Sequence, residues 1–346
     1  MRSERWLLVG SGLAACALLS SDAFAADCSP RTGESTCFDA DTLWIPAAPS
    51  RFVGIGATRA LAPDTWSVGL SATYLSRPVT LAADSPDRGG RKVLVVDDVL
   101  DAAVSGAYSP ARQLELAAVV PFSAYRTGTG LSGVTSLGGP ALTSAALRDV
   151  RLGGAYQFLR NEEVPADAPD VTGIARIDVA LPTGNASAFA GTGTVVVAPT
   201  LGLGVRYGAA FATGELGGRF SRTVEFGGAR MGTSLTSALG LGVDALDRDR
   251  LTLALESWIQ PSLLSQAHSL PDGERVTSAT LVPAEWMLSA RTRLGDVFLQ
   301  LGFGTSIPLS SERRRALDGT ESTTDYSGLT SPRLRAVLSA RYAPGF

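Results

Sequence analysis

One histidine stands in the whole chain, His268, with Ser265 and Ser269 beside it. A serine nucleophile and an imidazole base are the minimum for acyl transfer, and both must be fixed within hydrogen-bond reach. His268 lies in a long connection, 261–284, and reads as a solvated loop residue, so no enzyme is expected. The three cysteines, Cys16, Cys28 and Cys37, have no CxxC spacing and with a lone histidine offer no metal set. GTGTVVVAPT is glycine-rich, but a strand follows it rather than the helix that a phosphate loop requires. No catalytic residue, cofactor or metal is expected.

The charged residues are more informative, because they fall in phase with a two-residue period. Arg151, Arg176, Arg206, Arg219, Arg291, Arg293, Arg333, Arg335 and Arg341 share the polar phase of their segments with Asp101, Glu115, Asp149, Asp178, Glu215, Asp244 and Glu256. Such a set points to a water-filled lumen with two open readings. In one, the charges form a mutually neutralising ladder that merely fills the interior. In the other, they line a narrow passage with weak anion preference. Arg333, Arg335 and Arg341 form one basic patch with no acid on the same segment.

The elements that carry these residues are strands. QLELAAVVPF from Gln113 puts Leu114, Leu116, Ala118, Val120 and Phe122 on one face. LTLALESWIQ and VFLQLGFGTSI segregate in the same way, which no helix would do. About twelve such runs occur: 65–76, 99–108, 113–122, 149–158, 171–181 and 195–207 in the first half. The second half adds 211–222, 233–245, 251–260, 285–294, 296–307 and 333–342. Most are about nine to thirteen residues, near the length that crosses a bilayer at a tilt and longer than ordinary globular strands. Short connections alternate with long ones (77–98, 123–148, 182–194, 261–284, 308–332), with 160–170 the exception. The pattern predicts an all-β, transmembrane, antiparallel up-and-down barrel.

Ends of strands carry their own signals. Outward strands should stop at Pro78, Pro121, Pro182, Pro261 and Pro308, since proline cannot donate to a ladder. Returning strands end on Tyr108, Tyr156, Tyr207 and Tyr342, in one phase, as an interfacial aromatic girdle would. Phe346 follows Tyr342 by four residues in the same phase.

The N-terminus reads as a signal peptide, 1–25: Arg2 and Arg5, an apolar run, then Ala23-Phe24-Ala25 before Ala26. A lipoprotein-type site at Cys16 is the rival. Export makes a Cys28–Cys37 disulfide the expectation. The next stretch, 26–64, should be a periplasmic or plug-like segment, in which 51–63 either plugs the lumen or adds a partial strand; 65–346 is the barrel. Net charge is −3 and the only lysine is Lys92, a balance that gives no reason to expect nucleic acid.

FDADTLWIPAAPSRFVGIGATRALAP (38–63), followed by TWSVGLSATYLSRPVTL, resembles the start of the N-terminal barrel of one group of OmpA-family outer-membrane proteins. VVPFS, DVRLGGAYQF, ARIDVALPTG and VVVAPTLGLGVRY match that barrel's rhythm, and more loosely that of transporter barrels of phenol-degradation pathways. Those OmpA-type relatives continue into a peptidoglycan-binding domain that this sequence lacks, so wall anchoring is not carried over. The resemblance implies the outer membrane of a Gram-negative bacterium, with lipid and lipopolysaccharide as surroundings. Phe346 is similar to the terminal aromatic by which the barrel-assembly machinery recognises its substrates. The expected function is passive passage of small polar or anionic solutes; the alternative is a closed structural barrel that acts through its loops.

Overall fold

The computed structural model describes residues 28, 35–83, 91–133, 141–160, 168–226, 229–246, 250–264, 267–269, 275–277, 281–309, 312–315, 321–324, 329 and 331–344. Phe346, the signal segment and Cys16 lie outside them.

One sheet of thirteen strands contains all the long strands, and the two-residue piece Ala146–Leu147 is the only short member. The other twelve close a barrel: β1 Thr65–Ala83, β2 Arg91–Ala111, β3 Leu114–Arg126, β4 Arg151–Arg160, β5 Asp170–Ala180, β6 Val196–Tyr207, β7 Ala210–Arg219, β8 Ser234–Leu246, β9 Leu251–Ile259, β10 Ala284–Leu294, β11 Val297–Ser306 and β12 Leu334–Tyr342. Each pairs antiparallel with its neighbour in sequence. The seam joins β1 to β12 from Val68↔Tyr342 to Ser76↔Leu334, so no barrel strand presents an open edge.

Alternation decides what faces each way. Leu70, Val104, Leu116, Leu203, Leu241, Leu255, Leu288 and Leu338 stand on the outer surface, where only hydrocarbon would make such exposure favourable. Tyr108, Tyr156, Tyr207 and Tyr342 are also exposed, all at the short-turn end, and the Tyr342 ring packs at a tilt against Trp66, centroids 5.4 Å apart.

Two of the five prolines do not end strands. Pro78 lies inside β1, where Arg77 has φ 54° and the β1–β2 register shifts between Ser76 and Val79. Pro121 lies inside β3 opposite Ala103. In both cases the ladder on the other flank breaks at the proline: β1–β12 pairing ends at Ser76↔Leu334, with the bridge Val79↔Leu329 beyond it, and on β3 pairing breaks after Val119↔Arg151 and resumes at Phe122↔Leu147. β1 and β2 therefore run to 19 and 21 residues, rising as a hairpin beyond the barrel.

A charge on the outer face tests the orientation. Leu239→Arg, at a mid-strand position 56 % exposed, should cost about 2–4 kcal/mol in bilayer-refolded protein, read as a lower urea midpoint. Thr236→Arg, in the lumenal cavity wall, should cost less.

Candidate functional site

The lumen holds the chain's own N-terminal segment. Residues 35–63 have no helix and only a single bridge, Asp39↔Ala190. The segment starts at the long-loop end, where Phe38 packs on Phe189 and Phe226 with ring centroids 5.2 Å away. It leaves at the short-turn end, where Asp64 N–H donates to the Ser109 carbonyl at 2.8 Å just before β1.

Irregular backbone away from bulk water must find partners for each N–H and C=O. Here the barrel wall supplies them, sorted by charge. Arginines donate to carbonyls: Arg219 to Thr42 (2.6 Å), Arg151 to Ile45 (3.0 Å), Arg341 to Pro46 (2.8 Å) and to Ala48, Arg291 to Ser50 (2.9 Å), and Arg176 to Ala57 (2.8 Å). Gln300 donates to the Arg51 carbonyl at 3.2 Å. Acids accept from N–H groups. Fully buried Glu256 takes Val53 and Gly54 at 2.8 Å and Ile55 at 3.2 Å. Glu215 takes Gly56 at 2.9 Å while also pairing with Arg176, and Glu115 takes Leu61 at 3.2 Å. Gln157 accepts from Ala60 at 3.1 Å.

Side chains of the segment fit the wall as well. Trp44 lies between two guanidiniums, Arg219 at 4.3 Å and Arg151 at 5.0 Å from its ring, a cation–π arrangement strengthened by exclusion of water. Phe52 rests on Gly240, where a Cβ would come within 2.4 Å of the ring. A side chain there would displace the segment.

An ionic network ties the segment to the long-loop half. Arg148 reaches Asp39 at 2.8 Å, Asp41 at 3.4 Å and Asp101 at 2.7 Å; Arg335 bridges Asp41 at 2.8 Å and Glu285 at 2.8 Å. Burial opposes ionisation of Asp41, but the guanidiniums of Arg335 and Arg148 outweigh it and hold the carboxyl below its ordinary value. Beyond this network lies a dry cap of Phe38, Phe189 and Phe226 with Val79, Val96 and Leu329. The Cys28–Cys37 disulfide forms beside it, against Gly193 (φ +62°), whose Cβ would come 2.4 Å from Cys28 Sγ.

Arg151, Arg176, Arg219, Arg291, Arg335, Arg341, Glu115 and Glu256 thus converge on the inner segment. Asp178 lines a cavity of about 140 Å3 between segment and wall, with Arg151, Arg176 and Arg219. Three arginines stand apart. Arg206 and Arg293 sit at the short-turn rim, donating to the Gly208 carbonyl at 3.2 Å and the Gly295 carbonyl at 2.9 Å. Arg333 is exposed at the other rim, ahead of β12, so it does not line the lumen with Arg335 and Arg341. Asp149 precedes β4 and shapes the loop 181–195 through Gly184 N–H (2.9 Å) and Thr192 (2.8 Å). His268 falls in a small hairpin opposite Val276.

Several partners escaped the sequence reading. Gln157 and Glu285 have the inward phase of their strands, so period two alone would have found them, as it set Gln300 on the polar face of VFLQLGFGTSI. Asp39, Asp41 and Arg148 lie outside any periodic run, and no sequence pattern marks them.

No family model matches the chain, and no curated protein matches it. Solved structures do. An outer membrane channel from Pseudomonas putida F1 is 14% identical, covering 84% of this chain and 100% of that one, with a TM-score of 0.55. The Ralstonia pickettii toluene transporter TbuX is 10% identical over 82% and 90%, with a TM-score of 0.34. Outer membrane phospholipase A of Escherichia coli is 12% identical over 83% and 95%, at 0.33. The first shows that this chain has an outer-membrane barrel fold; the other two are too distant to add weight.

Two outcomes check the anchoring. Glu256→Ala leaves three buried N–H groups without their acceptor, at about 1–3 kcal/mol each, and should make the stretch around Val53 susceptible to protease in a still-folded barrel. Asp41, with its lowered folded value, contributes stability above the ordinary carboxylate range of about 3.9. That contribution fades only as pH falls through the lower folded value, so Asp41→Asn should lower thermal stability at pH 7 and matter progressively less below pH of about 4.

Proposed function

We propose that the protein is a Gram-negative outer-membrane channel for passive passage of small polar or anionic solutes, constricted by its own N-terminal segment. The observation that carries this is the polar lumen. Its charged wall engages the segment's backbone, beside apolar contacts of Leu43 and Val53 with Met287 and of Phe52 and Ile55 with Phe211, and water-sized to solute-sized spaces remain beside the segment, about 140 Å3 midway and about 450 Å3 at the short-turn end. Export through the signal peptide 1–25, insertion by the assembly machinery and a lipopolysaccharide environment belong to the same reading. The stretch 38–63 that resembles OmpA-family barrels coincides with the inner segment.

One feature favours a second reading. The apolar cap of Phe38, Phe189 and Phe226 seals part of the long-loop end, as a closed structural barrel acting through its loops would require. Single-channel recording in a planar bilayer separates the two. The channel reading expects small, reproducible conductance steps that grow in Glu256→Ala, as the segment loosens. A correctly folded barrel silent in both forms would overturn the channel and favour the loops.

Arg335 and Arg341 bear on selectivity differently from a free basic patch. Arg335 is neutralised by Asp41 and Glu285, and Arg341 is engaged with carbonyls. Replacing either with Ala should raise conductance more than it changes the anion preference measured by reversal potential.

A further inference from the structure

Free space around the inner segment is unevenly distributed. On the side of β10, β11 and β12 the segment packs closely. Leu43 and Val53 meet Met287 and Val337 there, and Arg335 bridges Asp41 and Glu285. A space of about 10 Å3 on that side, bordered by Phe52, Gln300 and Arg341, has room for about one water.

Larger spaces follow the side from β3 to β9. One of about 110 Å3 lies at the long-loop end beside Phe38, Met231 and Leu281. The mid-lumen cavity of about 140 Å3 comes next and shares Gly56 and Ala57 with the space of about 450 Å3 at the short-turn end. A fourth, of about 40 Å3, lies in the long-loop half toward Ser71 and Asp101. Among the described residues, Trp44 alone borders the mid-lumen cavity and both spaces on its long-loop side. At the short-turn border the shared residues of the segment are only Gly56 and Ala57; at the long-loop border the segment places an indole.

That indole is held in position. Two guanidiniums stand over it, Arg219 at 4.3 Å and Arg151 at 5.0 Å. The same two arginines grip the backbone around it, Arg219 at the Thr42 carbonyl and Arg151 at the Ile45 carbonyl. Turning the ring aside would forfeit contact with both guanidiniums, whose positions the carbonyls fix. A large ring clamped at the common border of three small spaces is a fixed partition rather than a flap.

We propose that Trp44 is the size-limiting partition of the lumen: it divides the long-loop spaces from the mid-lumen cavity, on a route that follows the β3–β9 side of the segment. As a limit on transport this rests on the channel reading; as a separation of spaces it does not.

The refolded full chain, Trp44→Ala and Trp44→Phe are compared in planar bilayers. Trp44→Ala should raise the conductance step about twofold or more, because width at the narrowest point governs passage. Trp44→Phe keeps a ring under the guanidiniums and should stay near the parent. Resistance to protease around Val53 should persist in both, since the Glu256 bonds are intact. A second readout needs no current. Thr200→Cys puts a thiol in the mid-lumen wall, and a charged methanethiosulfonate should label it faster once Trp44→Ala is added. Ser289→Cys, buried on β10 at the packed side, should label at one rate with or without the indole. If the parent conducts and Trp44→Ala conducts equally, the partition is overturned. New cleavage at Val53 in Trp44→Ala overturns it too, by making Trp44 an anchor of the segment. A barrel silent in every form sinks the channel reading, and labelling then decides: a faster Thr200→Cys reaction in Trp44→Ala leaves the partition standing, and an unchanged one overturns it.

Discussion

Everything in this molecule depends on one requirement: backbone placed inside a closed barrel must have its hydrogen bonds satisfied there. The wall uses its own N–H and C=O groups strand to strand, so beyond the bonds of Ser35 and Ala40 to the Glu225 and Phe189 carbonyls, the residues 35–63 that run down its centre depend mainly on side chains. A carbonyl needs a donor and a peptide N–H needs an acceptor, so arginines gather where the segment shows oxygens and acids where it shows nitrogens. Glu256 is the clearest instance. One carboxylate receives three consecutive N–H groups, a geometry that a short irregular turn provides and an extended strand does not, because successive N–H groups of a strand point in opposite directions.

That requirement changes the meaning of the charged interior. Viewed as strands alone, the inward arginines and acids look like the lining of a pore or a ladder of ion pairs. With the segment present, most of them are receptors for backbone dipoles, and true ion pairs are concentrated around Asp41 and Arg148. A charge used in this way is worth more than a surface pair, since its alternative is an unsatisfied group in a confined space. It is also less available to a passing solute.

How far the sequence foretold this follows from which interactions are periodic. Strand number, phase, the outward leucines and the aligned tyrosines are set by alternation along each segment, and all of these are legible in residues such as Leu114, Leu116 and Tyr108. The seam between Val68 and Tyr342 follows from closure. What was hidden lies where period two ends. Asp41 meets Arg335 at a separation of 294 positions, and nothing local to either announces the other. Pro78 and Pro121 misled for a related reason. Proline marks a lost donor, but a strand can run through it where the neighbouring ladder breaks at that point, as between Val119↔Arg151 and Phe122↔Leu147, a fact of the neighbour's path.

The same long separations settle how the segment and the wall depend on each other. Each strand pairs with its sequence neighbour, so much of the wall is built from local hairpins. The segment's bonds are of another kind: Leu61 to Glu115 spans 54 positions, Ser50 to Arg291 spans 241, and Pro46 to Arg341 spans 295. A few groups of 35–63 are satisfied nearby, as Leu43 N–H is by Asp41 and Phe52 N–H by Ser50, but the remaining partners lie far off in sequence, on both halves of the barrel. Loosening a single strand would therefore leave some of its bonds intact and strand the rest. Opening the lumen is then a matter of exchanging many side-chain contacts for water along the whole length of the segment, rather than of swinging one loop aside. A wall whose inward residues were only a neutral ladder would close without the segment; this one, with Glu256 and Arg291 turned toward peptide groups, would leave those charges facing empty space.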